Sequence, residues 1–181
     1  DIVEKTPAGS KGLLFLPFLA SACAPRWNPQ ARGTLIGLTF AHDRGCLARS
    51  FMEGITMEVR DMMEAMFQKG ISIDNIRILG GPTKSSIWNQ IQADVYDRPV
   101  QTLENTDAAV LGAAIFAGVG VGVFSSIQEG AEKLVRVSKT YEPNKSSAAV
   151  YERLYTTYVK AYEALDENSV FSEIADLQKE F

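Results

Sequence analysis

Residues 76–94 read IRILGGPTKSSIWNQIQAD, a short apolar run that ends in two glycines, with the pattern of an amphipathic helix a few residues later. Ile76, Ile78 and Leu79 have the character of the end of a buried strand. Gly80 and Gly81 remove the side chains that would hold a ligand away from the main chain. Ser85 or Ser86 suits the N-cap of the helix that follows, and Ile87, Trp88, Ile91 and Val95 share one of its faces. The free N–H groups of such a helix point at the glycine turn, where a phosphate or ribose oxygen can accept from them. Strand, open turn and helix together predict an α/β fold with a nucleotide at the turn.

The turn is distinct from the better-known glycine motifs. Neither G-x-x-x-x-G-K-[ST] nor G-x-G-x-x-G occurs between Gly80 and Ser86, and Lys84 follows Thr83 rather than a glycine. A P-loop and a dinucleotide fingerprint are therefore excluded here. Taken alone, Gly-Gly-Pro after a strand is more often only a tight turn. The neighbouring residues decide otherwise.

The strand, the glycines, Lys84-Ser85, Trp88, Gln90 and Ala93-Asp94 together resemble the C-terminal nucleotide-binding domain of the FGGY carbohydrate kinases, xylulokinase-like members above all. Residues 12–17 (GLLFLP) and 25–33 (PRWNPQARG) are similar to that family's GLLFLP and PxWNPxARG segments, in the same order. Gly37-Leu38-Thr39, His42, Arg44, Leu47-Ala48-Arg49 and Glu53-Gly54 are similar to its GLT-x-x-H-x-R-x-x-LAR-x-x-x-EG run, and residues 107–114 (DAAVLGAA) to its EAxALGAA helix. The likeness covers residues 10 to 122 in several blocks. Where many members read GERSP before the tryptophan, this chain reads ASACAP at residues 20–25, so no role of the family's Glu and Arg transfers to that turn.

The resemblance implies an actin-like ATPase (ribonuclease H-like) fold of which this chain is the second half of a C-terminal lobe. It implies ATP with Mg2+, and transfer of the γ-phosphoryl group to a sugar or polyol hydroxyl, with a xylulose-like substrate favoured. Gly80, Gly81 and Pro82 are expected beneath the nucleotide, with Ser85 offering a hydrogen bond near the base or ribose. Lys84 is expected either at a phosphate or, as long charged side chains usually are, in solvent. The family's catalytic aspartate and most sugar contacts precede the GLLFLP segment, and no Asp in residues 1–11 has that context. No catalytic residue is therefore expected in this chain, which lacks an initiating Met and reads as a fragment that is inactive alone. The parent enzyme is expected to be cytoplasmic and to form a homodimer. The competing readings are a non-catalytic actin-like module for assembly or regulation, and an ATPase of the same superfamily acting on a protein or acyl substrate.

Composition agrees with a globular domain. Of 181 residues, 46% are hydrophobic and 22% charged, close to ordinary usage. No run approaches ~18 consecutive apolar residues, which argues against a membrane span, and no signal-like segment opens the chain. Cys23 and Cys46 stand at no metal or redox spacing and His42 is the sole histidine, so neither a zinc site nor a Ser-His triad is supported. A net charge of -4 with dispersed Lys and Arg argues against nucleic acid as a partner.

Along the chain, residues 12–19 and 34–40 read as strands. Asp43 is placed to cap a helix ending at Gly70, whose Leu47, Phe51, Ile55, Val59, Met62 and Met66 form the expected core stripe, with methionine as filler. Residues 98–103 form a strand entered through Pro99. The small-residue helix 108–118 is expected to pack closely on a neighbour, through Gly112 and Ala113. Gly118, Gly120 and Gly122 read as a helix stop and not a phosphate loop, because a helix C-terminus exposes carbonyls. A short helix from 126, a polar linker at 138–147 and an amphipathic helix over 148–165 follow, its tyrosines 151, 155, 158 and 162 serving packing. The domain is thus read as 1–165, with a tail at 166–181 that forms one more short helix.

Overall fold

The structure is a computed structural model and describes residues 2–181. An antiparallel pair, β1 (Leu14–Leu16) and β2 (Thr34–Ile36), sets Leu14 opposite Ile36. The long helix α1 (Arg44–Gln68) follows, then β3 (Ile76–Ile78), α2 (Ser86–Tyr96) and β4 (Val100–Leu103), with β3 and β4 parallel. Helices α3 (Ala108–Gly120) and α4 (Ile127–Leu134) lead to β5 (Val137–Tyr141), which returns antiparallel to β4. The chain closes with α5 (Lys145–Glu167) and α6 (Val170–Leu177). The second sheet therefore has the order β3-β4-β5, with β3 at one edge.

The α1 cap is as expected: the Asp43 carboxylate accepts from the Cys46 N–H. Its buried face is not. Phe51, Ile55, Val59 and Met66 are between 37% and 43% exposed, whereas Arg49, Glu53 and Asp61 are buried with Met57. Two residues correspond to about 200° of rotation, so the 51-55-59 stripe lies opposite the 49-53-57-61 stripe. The polar stripe goes inside because its groups are paired. Glu53 accepts from Gly9 N–H (2.9 Å), Ser10 Oγ (2.7 Å), Arg49 Nε (2.8 Å) and Tyr151 Oη (2.7 Å). Asp61 accepts from Arg26 Nε at 2.9 Å and from Tyr155 Oη at 2.9 Å. Burial alone would lower the Arg49 pKa, but its contacts with Tyr151 and Glu53 leave it raised. Burial and the Glu53 charge likewise push the Tyr151 hydroxyl far up.

The main core lies between β1, α1, α2, β4 and α5, and gathers Leu14, Leu16, Phe18, Met57, Ile91, Val95, Val100, Tyr151 and Tyr158. The tyrosines of α5 are packing residues, with Tyr151 and Tyr158 fully covered. The last segment folds as a helix and is held by aromatic contacts: Phe171 of α6 meets Phe18 edge-on, with ring centres 6.3 Å apart, and meets Tyr162 at 5.5 Å. The loop at residues 25–33 is moored to the same region. Asn28 Nδ2 donates to Tyr162 Oη (3.0 Å) and Asp166 Oδ1 (2.7 Å).

Three further expectations change. β3 is only half-buried, and Leu79 after it is 39% exposed, because it is an edge strand with one neighbour. Residues 137–141 are strand β5 and not part of a linker; the polar run at 138–140 reads as loop only because this strand faces solvent, with Tyr141 alone buried. α3 is largely exposed and extends to Gly120. A Cβ added at Gly112 would meet nothing within 4 Å, so close packing does not occur there. The close approach is at Gly118, where a Cβ would come within 2.6 Å of the Phe124 ring, which also covers Gly130 of α4. Val121 caps α3 and Gly122 follows with φ 79°, which is the helix stop read from the glycines.

Candidate functional site

β3 delivers the chain to Gly80, whose backbone angles (φ 85°, ψ -169°) are reached without strain only by glycine. Gly80 N–H donates to the Thr106 carbonyl at 3.2 Å, which ties the turn to the segment leading into α3. Gly81–Lys84 form one 3-10 turn, with proline near its start, where no N–H is required. Thr83 closes that turn by donating from its N–H (3.2 Å) and its Oγ1 (2.6 Å) to the Gly80 carbonyl. Of the two candidate caps, Ser85 is the one used: its Oγ accepts from the Trp88 N–H at 3.4 Å.

Both glycines leave space that a side chain would occupy. A Cβ at Gly81 would meet nothing within 4 Å, and one at Gly80 only the Cδ of Pro82, at 3.9 Å. A surface cavity of about 480 Å³ opens over them, lined by Leu79, Gly80, Gly81, Lys84, Thr106, Asp107 and Ala108. Among the residues expected at the site, Gly80, Gly81 and Lys84 come together here. Pro82 instead lines a separate apolar groove of about 370 Å³ with Ile55, Val59, Ile78 and Trp88, and Ser85 lines neither. The Ser85 oxygen is engaged as a cap, which leaves its O–H as the free donor.

Thr106 and Asp107 were not expected in this role. Asp107 caps α3 by accepting from Val110 N–H at 3.0 Å, and the register of the β3-β4 pair carries its loop beside the glycine turn. The available signal was local: an Asp directly before the small-residue helix is an N-cap pattern. The cavity thus has an ammonium at Lys84, a carboxylate at Asp107 and bare main chain between them. Such a floor suits a flat ligand with an anionic end and hydroxyl donors. Another cavity, of about 550 Å³, is lined by Arg26, Arg60, Asp61 and Glu152, but these charges are paired with one another. Among the described residues no three His, Cys, Asp or Glu side chains are grouped to hold a metal, and no helix is long and apolar enough to cross a membrane.

Known proteins match this chain in sequence and fold. Residues 3–121 match the C-terminal domain of the FGGY family of carbohydrate kinases. Xylulose kinase from Staphylococcus epidermidis is 33% identical over 162 residues, which is 90% of this chain and 33% of that protein. The structure of ligand-bound xylulose kinase from Lactobacillus acidophilus superposes with a TM-score of 0.84 at 31% identity, over 92% of this chain and 34% of that one. Plasmodium falciparum glycerol kinase, solved with ADP, superposes at 0.74 with 25% identity, over 89% of this chain and 32% of that one. The chain spans about a third of the length of the relatives it matches. The matched span, the identities and the superposition agree, and the chain belongs to the FGGY family of carbohydrate kinases, with the actin-like ATPase fold of that family's C-terminal domain.

Proposed function

We propose that this chain is the nucleotide-binding part of a cytoplasmic carbohydrate kinase that transfers the ATP γ-phosphoryl group to a sugar or polyol hydroxyl, xylulose-like substrates being favoured. The observation that carries the reading is the unobstructed main chain of Gly80 and Gly81 beneath a cavity flanked by Lys84 and Asp107. A nucleoside would lie against the glycines, with its ribose hydroxyls donating towards Asp107 and its α-phosphate accepting from Lys84. Phosphoryl transfer depends on positioning and charge stabilisation. The share of these residues is to hold the nucleotide still, and Ser85 contributes through its free O–H. Mg2+ would be held by the nucleotide phosphates and would neutralise their charge during transfer. The chain spans about a third of its relatives' length, and the groups that activate the acceptor hydroxyl would lie outside it, in a homodimeric parent, so that the chain alone is expected not to turn over.

Calorimetric titration of ADP into the full-length polypeptide tests the seat. Gly81→Val fills the space under the ligand and is expected to raise the ADP Kd roughly tenfold or more, equivalent to about 1.4 kcal/mol. Gly81 does not have a positive φ and faces open space, so folding is little affected. Unchanged ADP affinity in folded Gly81→Val would remove the seat. Absence of any adenine-nucleotide binding would favour an assembly or regulatory module. A coupled assay of the chain alone should give no sugar-dependent ADP; sustained turnover with xylulose or glycerol would overturn the division of labour.

A further inference from the structure

Asn89 is fully buried in the first turns of α2, yet only half of its amide is used. Its Nδ2 donates to the Thr83 carbonyl at 2.9 Å, while its Oδ1 has no hydrogen-bond partner among the described residues. The orientation is dictated by chemistry, because a carbonyl faces it and only the NH2 end can donate. The bond is the inner end of a relay. Asn89 holds Thr83; Thr83 donates twice to the Gly80 carbonyl; and Gly80 N–H donates to Thr106, on the far wall of the cavity. Gly81, Pro82 and Lys84 of this turn are exposed, so the bond from Asn89 is its direct tie to the buried part of α2.

We infer that Asn89 is a positioning residue for the nucleotide, which it never touches: it clamps the Gly81–Lys84 turn in the shape the ligand needs. The inference rests on the proposed seat at Gly80 and Gly81. The Asn89 amide reaches the turn through its donor end, and the turn passes that bond on to Gly80 and Thr106. The amide is retained here for its donor end. Replacing it with leucine, close in volume, discards the unpaired acceptor along with the clamp. Stability and ligand affinity are then expected to move apart.

Asn89→Leu is made in the full-length polypeptide beside Gly81→Val, and Tm, ADP Kd and the two KM values are measured. Asn89→Leu should lower Tm only slightly, by the loss of the bond to the half-buried Thr83 carbonyl, while ADP Kd and the KM for ATP rise roughly fivefold to tenfold, the scale of one lost ordering hydrogen bond. The KM for the sugar or polyol acceptor should stay within about twofold, a scatter expected of a change remote from that site. Hydrogen exchange gives a reading independent of catalysis: the Thr83 and Ser85 amides, bonded to Gly80 and Pro82 carbonyls, should exchange faster while the β4 amides do not. Asn89→Ala is the second variant should leucine not fit, with the same expected pattern in affinity and exchange. If Gly81→Val weakens ADP binding and folded Asn89 variants do not, the clamp is overturned and the seat stands. If neither variant weakens it, seat and clamp fall together. Equal rises in the ATP and acceptor KM values would also overturn the clamp, because they report a general disturbance.

Discussion

Arg49 and Glu53 are both buried, and each is satisfied by groups distant in sequence. Arg49 donates to the Val3 and Thr6 carbonyls at 3.3 and 3.0 Å and to Tyr151 Oη at 2.8 Å, while Glu53 gathers Gly9, Ser10 and Tyr151. Removing one member strands the other. Arg49→Met is expected to destabilise the chain by about 3–5 kcal/mol, read from urea unfolding, because the Glu53 charge would remain buried without its partner. The double variant Arg49→Met/Glu53→Leu should recover part of that loss. A loss below ~1 kcal/mol for the single variant would show that the pair is not desolvated as the structure has it. These two residues also show how much was legible beforehand. They stood out through the family's LAR and EG blocks, but their burial did not, since charge on a helix ordinarily signals a solvated face. The five candidate site residues divide in the same way. Open glycines are visible as letters, whereas the side of the turn on which Pro82 falls depends on a 3-10 geometry that no spacing encodes.

At the scale of elements, α1 crosses β1 at Gly54, where an added Cβ would come within 2.2 Å of the Phe15 carbonyl oxygen. That contact is backbone against backbone and has no rotamer to relieve it. Gly54→Ala should therefore destabilise by about 1–3 kcal/mol or more. Gly112→Ala in the open α3 should be neutral or stabilising by about 0.5–1 kcal/mol, as glycine is a poor helix residue. Thermal melts of the pair decide it, and equal melting temperatures would remove the contrast. Helix existence was readable throughout from caps and period, and the strands nearly so. What could not be read was which glycine meets a neighbour, because the small-residue density of residues 108–114 (AAVLGAA) advertises closeness at α3 while the actual contact needs the partner's position. The face of α1 was misread for a related reason: pairing overrides hydropathy once Tyr151, Tyr155 and Arg26 arrive from far along the chain. α4 carries its own pH dependence. Glu129 accepts from Lys133 and from Ser125, and these bonds hold its carboxyl at about 2, below the ordinary value. A depressed carboxyl stabilises above its ordinary range and loses that contribution as pH falls towards 2. The Ser125 and Ser126 end of α4 is therefore expected to fray in acid, seen as falling amide protection factors there, each rate taken relative to the intrinsic rate at the same pH, between the ordinary carboxylate range and pH 2. Protection factors that are flat over that interval would discount the bond.

Over the whole molecule, one apolar patch lies beside the edge of the second sheet. Phe51, Ile55 and Val59 of α1 stand exposed, the groove that Ile55 and Val59 share with Ile78 and Trp88 is open, and β3 has an unpaired edge. α3 adds Val110 and Phe116, which are 60% and 65% exposed. An edge strand beside apolar helix faces is a template for association. The isolated chain is expected to self-associate in sedimentation velocity, and Phe51→Lys with Val59→Lys should shift it towards monomer with little change in Tm. Sedimentation of the parent as a clean monomer at high concentration would contradict this. The aromatic seam has a different consequence, in time. Phe18 follows β1 directly, but the rings that cover it, Tyr158, Tyr162 and Phe171, come near the other end. At ribosomal speeds of about 5–20 residues per second, β2 and α1 reach β1 within seconds, but the Phe18 ring waits on the order of 10–30 s for its aromatic cover. During that interval a holding chaperone has its longest opportunity at Phe18. Moving the α5-α6 segment ahead of β1 by circular permutation should shorten the wait and raise soluble yield.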